Sequence, residues 1–554
     1  MNISLAAGYE EIYGIDTMCY EDFVYHVPSH AIISFAILLN YKLNSPVNET
    51  NHHRQVFLFL FKQFPQRDQE DLVQKFDKYG HSNIKIIGSR YLLAMILKEV
   101  KRNADFEYKV QNSDSINFFK AYLKNVDEVH IKDDQLSEPS KFLTDPLDFN
   151  RAVWPTLIHQ YQLNEHPDLR AEYLKVFCLM AFARENYKIY LREYLNNNGF
   201  ETIGNYLKMI KCLIESSIHF NDEKKEISDP RFVNPQIPSS FLKHWSINTM
   251  IGEDVKLMDI KKYPLFFLPS HGYIVIDENL FYRKIYKGPF FDLIRKTSLN
   301  KTTSFEKFNQ RISKEVLEKL YFKNVLRLFS FSKHSVALFD EENIDSFPDF
   351  YYRINKKILL IEFKSNFFPD THLENPDFEK IKQLLDEKLI KNEKGKKKGI
   401  EQLAATINQI AEREFSSDPK LASFNNVSIN PILCVDDFIF SLPGINTYLN
   451  ERFNELIPPQ KGCHIYPLTV MSVTTIFEHA ISEDISNLIE SIKYYHSYVN
   501  GERKRGQHFN ANVGFEDVYN SIIKRKNPTY LNSRNMEAFA SMAGLNGDDL
   551  NESI

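Results

Sequence analysis

The chain has 554 residues, 43% of them hydrophobic, and a formal net charge of −5. That length predicts two to four domains with ample material for cores. The slight negative balance excludes a generally basic nucleic-acid binder, so any phosphate contact must come from local patches. The five cysteines, Cys19, Cys178, Cys212, Cys434 and Cys463, are scattered and odd in number. No CxxC pair occurs, which argues against a zinc ribbon or a disulfide framework and for a reducing, cytoplasmic setting. No secretory leader is visible, and the apolar runs at 30–39, 56–61 and 265–276 are too short or too interrupted to span a bilayer.

Residues 1–145 read as a mixed, mainly helical region. Ser29 stands before a helical stripe of Ala31, Ile32, Phe35, Ala36 and Leu39, as an N-cap would. The run 56–61 is compatible with strand or buried helix, 83–87 reads as a short strand and 89–100 as a helix. His52-His53 lies in a polar stretch and reads as a pair of exposed residues. Residues 136–146 read as a linker, and 146–235 as a helical domain with faces such as Leu174, Phe177, Cys178 and Ala181. The charged, then proline-rich run 221–238 reads as a domain boundary. Residues 236–300 form a small β-containing connector, with β runs at 263–268 and 273–276 around Pro269-Ser270-His271-Gly272. His271 in that turn reads as structural.

Residues 304–329 predict a helix capped by Ser304, with Phe308, Ile312, Val316 and Leu320 on its apolar face. At ordinary α-helical spacing Glu315 borders this seam, whereas Glu318, seven residues from Arg311, falls on a wetter face. The stretch 339–365 follows. Asn355-Lys356 is a two-residue turn, since Asn tolerates positive φ. Ile354 then faces Lys357, and counting outward sets Asp349 opposite Glu362. Opposed like charges, with Cβ atoms about 5 Å apart, destabilise a bare hairpin. A hard divalent cation between them would reverse that, because such ions take carboxylate oxygens. Lys364, two residues past Glu362, shares its strand face.

Pro348-Asp349 and Glu362-Phe363-Lys364 together resemble the signature of the PD-(D/E)xK nuclease superfamily. The shorter ExK-type pattern alone is weak, because Glu223-Lys224-Lys225 and Asp254-Val255-Lys256 match it or its DxK form without a paired acid strand. The resemblance covers about residues 304–440. It implies a restriction-endonuclease-like α/β core of αβββαβ order in the C-terminal half, within a nuclease-like domain at 301–500. It further implies Mg²⁺ or Mn²⁺ held by Asp349, Glu362 and the Phe363 backbone carbonyl, with Glu315 as the acid from the first helix. Lys364 would position or activate the attacking water. Gln402, on the helix that follows, is carried over as a further catalytic residue.

Lys396, Lys397 and Lys398 precede the helix 400–415, where ammonium charge and free amide donors together would suit a phosphate. Runs at 432–440 and 464–473 read as strands, 474–480 begins a helix, and 501–554 reads as a basic, then polar tail. GxxxxGK[ST], GxGxxG after a strand, GxSxG and HExxH are all missing. The expected function is therefore metal-dependent phosphodiester hydrolysis, in DNA rather than RNA, with a restriction or antiphage role as the family-level expectation. The competing reading is a nuclease fold without cleavage activity that binds nucleic acid or acts as a scaffold. A second copy or a protein partner would dock through the N-terminal helical region, and no membrane is involved.

Overall fold

The computed structural model describes residues 7–44, 52–77, 86–136, 150–151, 153–155, 157–158, 168–218, 237–269, 272–340, 347–374, 376–391, 397–457, 462–482, 484–507 and 510–523. The chain divides into two compact units. A helical unit takes residues 2–136 and 189–297, and a sheet unit takes 137–188 and 298–549, each with a short terminal remnant. This differs from the linear layout expected of the sequence. The helix Leu169–Asn186 belongs with the sheet, while Ile203–Ile218 and the connector belong with the N-terminal region. The reason is long-range packing. Leu169–Asn186 is buried nearly all round, including Val176, Cys178, Leu179 and Met180, so it needs partners on every side. All of the expected linker at 136–146 but Leu136, which ends the helix Asp114–Leu136, and most of the expected boundary at 221–238 lie outside the described residues.

In the helical unit the run 56–61 is helical, within His52–Phe61. Ser29 begins the helix Ser29–Asn44, and its hydroxyl accepts from the Ala104 amide at 2.9 Å. Residues 86–88 have no strand structure, and 83–85 lie outside the described residues. The connector forms an antiparallel hairpin of β1 (Leu265–Leu268) and β2 (Gly272–Val275). Ser270 and His271 in its turn lie outside the described residues.

Among the described residues the sheet unit holds six strands: β3 (Ser335–Phe339), β4 (Phe350–Ile354), β5 (Lys357–Lys364), β6 (Val427–Val435), β7 (Cys463–Ile465) and β8 (Thr469–Ser472). β3, β4 and β5 form an antiparallel meander, and β6 joins β5 in parallel. On its other side β6 pairs in parallel with β7 and then with β8. The interruption between those two falls beside Asn430-Pro431, where proline has no N–H to give a ladder. β5 and β6 are buried over most of their length and read as continuous apolar runs, as a two-sided strand must.

One helical layer lies on each face of β5. Phe363 stacks on Phe322 of the preceding helical segment, with centroids 4.5 Å apart and planes at 10°. The neighbouring positions point the other way, and Lys364 there reaches Gln402 of the helix Gly399–Ala411. Of the expected tail, residues 501–507 and 510–523 are described and carry regular structure. The helix Ile485–Lys504 runs into this stretch, and Phe515 and Tyr519 beyond it are buried.

Candidate active site

The hairpin turn fixes the site. Asn355 adopts φ +51°, the left-handed conformation that asparagine tolerates better than most residues. It sets Ile354 opposite Lys357 and Phe350 opposite Ile361. Asp349, one residue before β4, therefore arrives beside Glu362 and Phe363. One carboxylate oxygen of Asp349, Oδ2, accepts from the Phe363 amide at 2.6 Å. Glu362 is 1% exposed. Its Oε1 lies 2.7 Å from the Lys364 ammonium, while its Oε2 is buried with no hydrogen-bond partner. Lys364 also donates to Gln402 Oε1 at 2.9 Å. Four of the residues singled out from the sequence, Asp349, Glu362, Lys364 and Gln402, are thus brought together.

The charges here are in excess of their partners. Burial and then the Asp349 charge push the Glu362 carboxyl up to about 8. Burial also raises Asp349, against the opposing pull of Lys364. Burial works against the Lys364 ammonium, but Glu362 and Asp349 outweigh it and raise its pKa.

Of the two glutamates on the preceding helix, Glu318 is the one electrostatically coupled to Asp349 and Lys364. Burial and the Asp349 charge push the Glu318 carboxyl up to about 7, and Lys364 acts on it in the opposite sense. Glu315 instead pairs with Lys319 at 3.1 Å, with about a third of each side chain exposed. It lines a separate depression with Asn186 and Arg311. The cause is the winding of the helix. After Phe305–Ile312 the segment Ser313–Phe322 is π-helical, and the Lys323 amide bonds to the Glu318 carbonyl five residues back. Each such turn holds one residue more than an α-turn. The phase of the apolar stripe slips, so α-helical counting does not identify which glutamate lies within electrostatic reach of Asp349.

The helix carrying Gln402 starts under tight constraint. Gly399 has φ +28°, and a Cβ there would meet the Leu389 carbonyl oxygen at 2.5 Å, so no larger residue fits this approach. Lys398 just before it turns inward. Its ammonium donates to the Glu387 carbonyl at 3.3 Å, which removes it from the expected phosphate-facing set. Lys397 is exposed, and Lys396 lies outside the described residues. Of the competing short matches, Asp254 pairs with Lys101 at 2.8 Å on the surface, and 223–225 lie outside the described residues.

A second charged group, missed in the sequence, braces the strand ends. Lys175, 4% exposed in its side chain, lies 2.8 Å from both Glu172 and Asp436. The Asp436 amide donates to the Lys364 carbonyl at 3.0 Å. Lys175 also lies 5.5 Å from the ring centre of Tyr321, one helical step from Glu318. Nothing local announces this contact, because Lys175 and Asp436 are far apart in the chain.

Among the described residues no group of three or more His, Cys, Asp or Glu side chains converges as a metal site. The protein donors that remain are the two carboxylates of Asp349 and Glu362, with one orphaned oxygen, and main-chain carbonyls. That set suits a hard cation such as Mg²⁺, which is commonly held by one or two carboxylates and completes its shell with water and substrate oxygens. It does not suit zinc, which takes a closed set of nitrogen and sulfur ligands in structural sites. Comparisons with protein families, curated proteins and solved structures return no match. Among the described residues, no helix is long and apolar enough to cross a membrane.

Proposed function

We propose that the sheet unit is a metal-dependent nuclease of the PD-(D/E)xK kind, acting on DNA in preference to RNA, in the cytoplasm and in a restriction or antiphage setting. The observation that carries this reading is the Glu362 carboxylate, fully buried beside Asp349, with one oxygen bound by Lys364 and the other unpartnered. Burying two like charges together is costly unless something compensates them. Asp349, Glu362 and the Phe363 carbonyl would hold Mg²⁺ or Mn²⁺. When bound, the ion polarises the scissile phosphate and lowers the pKa of a coordinated water. Lys364, held between Glu362 and Gln402, keeps an ammonium donor beside the reacting phosphate and offsets charge that builds there. Glu318, with its raised pKa, is placed to hold or release a proton near neutral pH. Lys397 meets phosphate outside the site.

The element order supports the reading: helix 305–327, then β3, β4 and β5, then, after a helical insertion at 370–390, the helix Gly399–Ala411, and, past a short turn at 419–423, β6. The test is cleavage of single- and double-stranded DNA and RNA with Mg²⁺, with Mn²⁺ and with chelator. Metal-dependent cleavage by wild type, lost in Asp349→Asn, is expected. Wild-type-like cleavage by Asp349→Asn overturns the assignment. One observation favours a second reading, a nuclease fold that binds without cutting. Lys364 already neutralises Glu362, and no third acidic ligand converges among the described residues. Calorimetry showing no uptake of Mg²⁺ or Mn²⁺ that depends on Asp349 would select it.

A further inference from the structure

The helical unit contains a cavity of about 660 Å³, the size range of small-molecule sites. The helix Ser29–Asn44, the turn after His52–Phe61 and the start of Asp114–Leu136 surround it. A stretch without regular structure, 103–111, crosses its mouth. This strap is tied at both ends. The Ser29 amide donates to the Ala104 carbonyl at 2.8 Å. At the far end Asp114 accepts from the Tyr108 hydroxyl and the Gln111 amide, and lies 3.0 Å from His26 Nε2.

The floor is aromatic and aliphatic. Ile32, Phe64 and Phe118 are buried, and Phe35 meets Phe118 edge-on, with centroids 4.8 Å apart. At the mouth Val110 is 78% exposed, an apolar side chain that an occupant would cover. The polar groups on the walls are mostly neutral. The side-chain amides of Gln63, Gln111 and Asn112, all on exposed residues at the rim, make no hydrogen bond to protein among the described residues. No lysine or arginine is among the described residues lining the cavity, and its carboxylate, Asp114, is already engaged.

Each feature narrows the occupant. Ring edges and faces favour a flat aromatic body. Free amides carry a donor and an acceptor side by side, the pattern that matches a base edge. Without a cation, a phosphate would be stripped of water and left unpaired. We propose that this cavity binds an uncharged planar heteroaromatic molecule, of the nucleobase or nucleoside class and without a phosphate. The site is independent of the nuclease reading, since every residue in it belongs to the helical unit.

The test is thermal melting of the full chain with adenosine, guanosine, cytidine and uridine, with their 5′-monophosphates, and with toluene as a probe that only fills apolar space. At least one nucleoside should raise the melting temperature saturably, because a ligand specific to the folded state stabilises it. Its monophosphate should bind about 10-fold more weakly or worse, the cost of an uncompensated charge. Ala31→Trp, which fills the cavity, should abolish the shift. Gln111→Leu, on the exposed rim and therefore safe for folding, should weaken it by about 10-fold, one lost hydrogen bond. No shift with any nucleoside, a shift unaltered in Gln111→Leu, tighter binding of the monophosphate, or an equal response to toluene would each overturn the proposal.

Discussion

The two ends of one hairpin bury charge in opposite ways. At the turn end, Arg353 and Asp418 are both 3% exposed and fully matched. Arg353 Nη2 donates to Asp418 Oδ1 at 3.0 Å, its Nε donates to Oδ2, and the Tyr351 hydroxyl donates to Oδ2 at 2.8 Å. Burial opposes the Asp418 charge, but hydrogen bonds from Arg353 and Tyr351 outweigh it and hold the carboxyl below its ordinary range. At the other end Asp349, Glu362 and Glu318 outnumber Lys364, and all three carboxyls are raised. The same strands thus carry a finished ion pair and an unfinished one. A structural pair satisfies itself, whereas a site held open for a ligand stores the mismatch.

The sharpest way to break this contrast is Asp349→Asn. Cleavage should fall by about 10³-fold or more, several kcal/mol of lost transition-state stabilisation. Lys364→Ala should lose about 10²- to 10⁴-fold, the usual range for a positioned proton-transfer or charge-offsetting group. It should still keep the melting gain on adding Mg²⁺, which Asp349→Asn should lose. At the turn end the reverse is expected. Arg353→Met should destabilise the fold by about 3–5 kcal/mol, because it leaves the buried Asp418 charge unpaired. A urea midpoint that does not move would show the turn-end pair to be dispensable.

A third comparison sets the two helix acids against each other. Glu318→Gln should lower cleavage by about 10-fold or more and shift its pH profile, as removal of a proton-carrying group does. Glu315→Gln should cost only about 0.3–0.5 kcal/mol of stability, the worth of a half-exposed i, i+4 pair, and leave cleavage alone. Equal effects would return the role to Glu315.

The smallest effect concerns pH in chelated protein. Glu362 binds its proton more tightly folded than unfolded, with a folded pKa near 8 against an ordinary 4.5. Its contribution to stability is therefore present at low pH and lost as pH rises toward 8. Asp349→Asn should relieve repulsion of tenths of a kcal/mol to about 1 kcal/mol, and more of it at pH 8 than at pH 5. Asp418 runs the other way. Its lowered pKa stabilises the fold above the ordinary carboxylate range and loses that contribution in acid. Melting curves across pH for wild type, Asp349→Asn and Asp418→Asn separate the two.

What could be read from the sequence was local. The Asn355 turn and strand alternation are short-range rules, and they suffice to bring Asp349 beside Glu362. Gln402 followed only from the family resemblance. Glu318 could not be read, because α-helical counting assumes a winding that residues 313–322 do not keep. Arg353 and Asp418 are 65 residues apart, and no period links them. The assignment of helix Leu169–Asn186 to the sheet unit was hidden for the same reason, although its all-round apolar character showed that it needed burial.

The wide turns of 313–322 have one more consequence. A helix wound this way carries surplus chain for its axial length. Taking one residue out of it need not shorten the span, because the rest, relaxing to the α-helical rise of about 1.5 Å per residue, would make up the length. The stacking of Phe322 on Phe363 anchors the far end. Insertion or deletion upstream of that anchor, rather than substitution, is then the economical route by which a lineage could rotate a different side chain toward Asp349. The segment would work as a register dial, and its setting in this chain leaves Glu318 within electrostatic reach of Asp349.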